Sequence, residues 1–213
     1  MSSWPPFLEK HDLTVVVDQS FERNIYEGND YITFATLPGM RERTISVFGT
    51  SKDLGLTGYR VAYMVAPKAV IDILKVATFN YVGPTNTFAQ YGVAAADTAP
   101  SYVDEWNRIF DERRRFGYEQ LNAIPGVEVL LPEGGFFFWV NIAKLGTSVG
   151  IRDYLVKDAN VGVSPGTWFG SNGEGFLRIM YGTMKDTDKF KEAILRIKAS
   201  LGKLSAKALS ADA

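Results

Sequence analysis

The chain has no cysteine and one histidine, His11, among its 213 residues. Without cysteine there are no disulfides, no thiolate metal ligands and no cysteine nucleophile. A lone histidine cannot assemble a histidine-based metal site, so no metal is expected. Charge of one sign is also lacking. Lys and Arg total 23 against 24 Asp and Glu, a formal net charge of -1. That balance points to no nucleic acid and no anionic membrane as partner. No apolar run approaches the roughly 20 residues of a spanning helix. The opening "MSSWPPFLEKHD" lacks the basic and apolar regions of a secretory signal. Together these absences lead to the expectation of a cytoplasmic protein.

What is present is a globular composition, 46% hydrophobic and 22% charged, with material for a sizeable core. "LTVVVDQ" (13–19), "TISVFG" (44–49) and "YRVAYMVA" (59–66) are short β-branched or apolar runs. They read as strands buried on both faces, as in parallel sheets. "NDYITFATLPGM" between the first two reads as a short helix stopped at Pro38-Gly39. From Pro67 the period becomes helical, through "PKAVIDILKVATF", an alanine-rich segment and a long amphipathic stretch from Ser101 to Ile124. Within that stretch Arg113, Arg114 and Arg115 splay over different helix faces and read as solvated surface. After Gly126 the pattern is α+β. Strands "VEVLL", "FFFWVNI", "VGVSP" and "FLRIMYG" are interleaved with a helix and followed by a last helix from Asp186 to Leu201. The remaining small polar residues read as a frayed tail.

One stretch carries chemistry: "VFGTSKDLGLTGYR" (47–60). Lysine in a bend after a strand is ordinarily solvated, but here Gly49, Gly55 and Gly58 bracket Lys52, and Thr50 and Ser51 place hydroxyls beside it. Glycines allow close backbone approach, and hydroxyls with free N–H groups at a strand end suit an anion. Arg60 supplies a fork able to grip a phosphate with two parallel hydrogen bonds. A lysine beside a bound anion can serve as a Schiff-base lysine. The pattern G-x-x-x-x-G-K-[ST] is absent, which excludes a P-loop.

"SKDLGLTGYR" resembles the lysine signature of the class I/II aminotransferases, fold-type I enzymes that use pyridoxal 5′-phosphate. "VVVDQSF", "LPGMRERTISV", "PEGGFFFWVNI" and "VSPGTWFG" with "GEGFLRIMYG" resemble further family blocks, in the right order, from Leu13 to Leu201. The resemblance implies an α/β fold: the C-terminal part of an aspartate aminotransferase-like fold, a partial α/β/α large domain followed by a small α+β domain. It places residues 1–110 in the large cofactor-binding domain, 111–205 in the small domain and 206–213 in a disordered tail. Lys52 matches the catalytic lysine that forms a Schiff base with the cofactor and then shuttles the substrate proton. Asp18 matches the acid on the pyridine nitrogen, and by residues alone it is an ordinary strand-end residue. Arg60 matches the phosphate arginine, with Thr50 and Ser51 as further donors. Arg178 matches the arginine that grips the substrate α-carboxylate.

Two residues depart from the family pattern. Phe21 stands where a tyrosine usually bonds the cofactor's 3′-oxygen, and Gly49 stands where many members have serine. Family chains are also roughly twice as long, so the resemblance implies the C-terminal half of such an enzyme. It further implies an amino acid and a 2-oxo acid as small-molecule partners, and a homodimer when full length. Phe21 keeps open another reaction of this fold, an elimination, cyclisation or decarboxylation. The length keeps open a non-catalytic fragment. Trp168, Phe169 and Phe137 fit either a pocket lining or a core.

Overall fold

The computed structural model describes residues 4–99 and 101–211. The chain divides into two units, Met1–Glu105 and Trp106–Ala213.

In the first unit the three expected runs pair into one sheet. β1 (Val15–Asp18) is parallel to β2 (Thr44–Gly49), with Val15 opposite Thr44 and Asp18 opposite Val47. β3 (Ala62–Val65) lies on the other side of β2 but antiparallel to it. The sheet is therefore mixed, not parallel throughout. A parallel neighbour needs a crossover of a dozen or more residues, usually a full helix. The β2–β3 link holds only the one-turn α2 (Thr50–Asp53) and the 3-10 turn Thr57–Tyr59. Burial on both faces is not seen either. Val16 on β1 is 68% exposed, and all four residues of β3 are exposed. The expected helix before β2 is reduced to a 3-10 turn, Phe34–Thr36, because Pro38 and Gly39 follow too closely for more turns.

A short α1 (Trp4–Lys10) precedes this sheet. α3 (Lys68–Tyr81) begins directly after Pro67, and α4 (Thr87–Asp97) is capped by Asn86, whose Oδ1 accepts the Ala89 N–H at 3.0 Å. α5 (Ser101–Asn122) runs across the boundary at residue 105, and the boundary expected at residue 110 lies on the same helix. No helix among the described residues is long and apolar enough to cross a membrane.

The second unit is a four-stranded antiparallel sheet ordered β4-β5-β7-β6: β4 (Glu128–Val129), β5 (Phe137–Asn141), β6 (Ser164–Pro165) and β7 (Phe176–Met180). Alternation decides its faces. Phe138 and Val140 of β5 and Leu177 and Ile179 of β7 are buried, while Trp139 pairs with Arg178 on the opposite face. A Cβ on Gly117 of α5 would come within 2.6 Å of the Phe138 ring, so the missing side chain is what lets helix and sheet close on each other.

α6 (Ser148–Asp158) and α7 (Thr187–Ala211) complete the unit. The expected tail is helical instead. The buried stripe Phe190, Ile194, Ile197, Leu201 continues at Ser205, and Lys203 Nζ pairs with Asp158 Oδ2 at 2.8 Å. Apolar spacing alone ends at Leu201, whereas the packing goes on for a further turn. Residues 212 and 213 of that expected tail lie outside the described residues.

The arginine run is also corrected. Arg115 is exposed, but Arg113 and Arg114 are 1% and 0% exposed. Arg113 donates to the carbonyls of Tyr181 at 3.1 Å and Met184 at 2.7 Å and to Thr187 Oγ1 at 3.0 Å. Arg114 donates to Pro132 O at 2.6 Å and to Asp111 Oδ1 at 2.6 Å. Burial disfavours the charged Asp111, but the hydrogen bonds from Arg114 and Arg115 outweigh it and hold its pKa below the ordinary value. Arg113→Met should leave the carbonyls after β7 unpaired and destabilise this unit by about 3 kcal/mol, with Arg113→Lys recovering only part of it. Chemical denaturation of the three proteins measures the loss.

Candidate active site

The parallel pairing of β1 and β2 brings the two strand ends together. Asp18 closes β1 and accepts a hydrogen bond from Ser20 Oγ. Gly49 closes β2, and a Cβ there would lie 2.7 Å from Ser20 Oγ. α2 then carries Lys52 outward, exposed, with its Nζ 4.9 Å from the centre of the Phe21 ring. Asp18, Ser20, Phe21, Gly49 and Lys52 thus form one rim.

The other expected residues divide. Ser51 O accepts from Thr57 Oγ1 at 3.0 Å, and Thr57 O accepts from Arg60 Nη1 at 3.0 Å, which ties Arg60 to the lysine turn. Arg60 is exposed and left-handed, φ 55°, a conformation that costs a non-glycine residue energy and is concentrated at functional sites. Thr50 is different. It is 3% exposed, and its hydroxyl donates to Val61 O at 2.6 Å. That hydrogen bond fixes the turn against the start of β3.

Arg178 lies in the second unit, on the same face of its sheet as Phe137 and Trp139. Its guanidinium carbon is 4.4 Å from the centre of the Phe169 ring and 4.9 Å from that of Phe137. Its Nε is buried without a hydrogen-bond partner, and no carboxylate pairs with it among the described residues. Trp168 is 65% exposed and Phe169 49%. Of the aromatics whose sequence fits either a pocket or a core, Phe137 and Phe169 stand beside Arg178, while the Trp168 ring lies under Arg152.

The model of the family "Aminotransferase class I and II" matches residues 6–196. The chain belongs to that family. It is 35% identical over 200 residues to an aspartate aminotransferase of Pyrococcus abyssi, covering 92% of this chain and 50% of the relative. It is 34% identical to aromatic-amino-acid aminotransferase 2 of Thermococcus litoralis, again covering 92% and 50%. The solved aromatic aminotransferase of Pyrococcus horikoshii superposes with a TM-score of 0.89 at 32% identity, over 95% of this chain and 54% of that one. The chain spans about half the length of the curated relatives it matches.

The cofactor implied by the class I and II aminotransferases is pyridoxal 5′-phosphate, and most of the rim fits it. An exposed primary amine, a carboxylate and an arginine sit on one turn and its neighbouring strand end. Among the described residues neither Lys52 nor Arg60 pairs with a carboxylate. Phe21 is the residue that does not fit, since its ring has no hydroxyl to offer a 3′-oxygen.

Two residues beside the site carry no sequence signal of their own. Ser20 is one. The other is Asp53, which follows Lys52 in the chain but turns inward and is 6% exposed. It borders a cavity of about 310 Å³ with Glu22, Arg23 and Asp97. Burial raises its pKa to about 6, against a hydrogen bond from the Arg23 backbone N–H, and the Glu22 charge raises it further. An acid raised in the folded state lends stability that is complete below its ordinary pKa of 3.8 and lost as pH climbs through about 6. Asp53→Asn keeps the acceptor and removes the charge. It should stabilise the protein at neutral pH by about 2 kcal/mol and make no difference below about pH 4. Denaturation curves at a series of pH values give the comparison.

Proposed function

We propose that this protein is a pyridoxal 5′-phosphate-dependent aminotransferase, moving the α-amino group of an amino acid to a 2-oxo acid. The observation that carries the reading is Lys52: an exposed amine with no acid partner, over the Phe21 ring and on the rim that holds Asp18. The family resemblance implies a homodimer when full length, and the lack of cysteine fits a cytoplasmic setting.

In this reading Lys52 holds the cofactor through Nζ and, once the amino acid has taken its place, moves the proton that leaves the substrate Cα. Asp18 keeps a proton on the ring nitrogen. Bound cofactor supplies a ring able to accept the electron pair left on Cα. Arg60 and Ser51 hold the phosphate at the lysine turn. Arg178 orients the substrate by its α-carboxylate, and the flanking rings hold its planar guanidinium in place. Relatives named for aspartate and for aromatic amino acids share that carboxylate, so Arg178 sets the class of substrate and not the side chain.

Phe21 favours a second reading, in which the cofactor serves an elimination. Product analysis separates the two: with an amino acid and 2-oxoglutarate, glutamate marks transamination and ammonia marks elimination.

The first test is spectroscopic. Adding the cofactor to the purified protein should give a visible absorbance band, and borohydride should fix the label on the Lys52 peptide. Lys52→Ala should show neither. Label scattered over surface lysines would sink the proposal and leave a non-catalytic chain. Arg178→Lys should keep the band and raise KM for the amino acid about 100-fold, since a point charge replaces the two-pronged contact.

A further inference from the structure

The proposed chemistry asks Asp18 to present a carboxylate oxygen in one fixed direction from an exposed strand end. Among the described residues the hydrogen bond that restrains this carboxylate comes from Ser20 Oγ and is received on Asp18 Oδ1. Oδ2 is left free to face the ring nitrogen. Ser20 holds that position because residue 49 is glycine. The point where a Cβ would stand on residue 49 is 2.7 Å from Ser20 Oγ, closer than side-chain atoms pack. A serine at residue 49, as the family resemblance leads one to expect, would overlap the Ser20 hydroxyl and turn it away. The absent hydroxyl at 49 and the present hydroxyl at 20 are therefore two halves of one arrangement.

Resting on the function proposed above, we propose that Ser20 is a positioning residue that locks the Asp18 carboxylate for the cofactor's ring nitrogen, and that Gly49 is the vacancy that makes this possible. Ser20 touches neither substrate nor the reacting atoms. It restricts the rotation of Asp18 before the cofactor arrives, so less freedom is lost on binding.

The experiment compares pyridoxal 5′-phosphate with its 1-deaza analogue, in which carbon replaces the ring nitrogen, as ligands of wild type, Ser20→Ala and Gly49→Ser. Absorbance titration gives each dissociation constant. Ser20→Ala should weaken binding of the natural cofactor about tenfold and leave the deaza analogue unchanged, because only the former reads Asp18. Gly49→Ser should do the same by displacing Ser20. Equal weakening of both ligands would mean a merely structural role for Ser20 and would overturn the proposal, as would no change in either. If wild type forms no Lys52-linked band, the functional reading falls and this inference with it. If wild type forms the band but the two ligands respond alike, only this inference falls.

Discussion

The parallel ladder between β1 and β2 sets which side chains meet at the candidate site. Asp18 and Gly49 are distant in sequence and have no local reason to be neighbours. Asp18 ends β1 opposite Val47, two residues before β2 ends at Gly49, and the chain leaves each strand end through a turn. A slip of one residue would send Asp18 to the other face and separate it from the lysine turn. That turn is fixed in its own right. The buried Thr50 hydroxyl on Val61 O joins the end of β2 to the approach of β3, so the polar group most deeply placed in the signature supports the exposed ones. An exposed lysine gains a defined position from a neighbour that never reaches solvent.

The two units contrast in how they are held. Trp106–Ala213 has a full core, with Phe138, Val140, Leu177, Tyr181 and Leu201 at 0% exposure, and two buried arginines fully occupied by carbonyls and a carboxylate. Met1–Glu105 keeps apolar side chains in water: Phe79 is 75% exposed, Phe88 87% and Tyr91 74%. Relatives twice as long bring further chain to the same fold. The first unit thus holds the lysine turn on a sheet whose outer strands remain uncovered here, and the sheet twist and strand ends survive because the ladder hydrogen bonds are internal to it.

Where periodicity and punctuation were strong, the sequence was legible. "TISVFG" is β2 from end to end, Pro67 opens its helix, and the order of family blocks led to the right fold. What was not legible depended on distant partners. Three successive arginines look solvated until the carbonyls after β7 are seen to meet the first of them. The direction of β3 depends on the absence of a crossover helix, which composition does not reveal. Helix α7 continues past Leu201, where Ser205 is buried and Lys203 pairs with Asp158, and no apolar spacing announces that. The hydrogen bonds of Thr50 and Ser20 likewise depend on partners that the motif does not name. A motif names residue types, whereas the available volume decides which hydroxyl faces the rim and which is turned inward.

In the function proposed above, the ligand of Arg178 is part of the energetics of its site. A guanidinium with a buried, unpartnered Nε is costly, and two aromatic faces at 4.4 and 4.9 Å offset only part of that cost. Arg113 in the same unit is more deeply buried and has every prong occupied, so the fold can satisfy an arginine where stability alone is at stake. In the function proposed above, the open prong of Arg178 is the place for the substrate carboxylate. A carboxylate that binds there meets a cation already dehydrated and oriented, and mass action then makes the occupied form the more stable one.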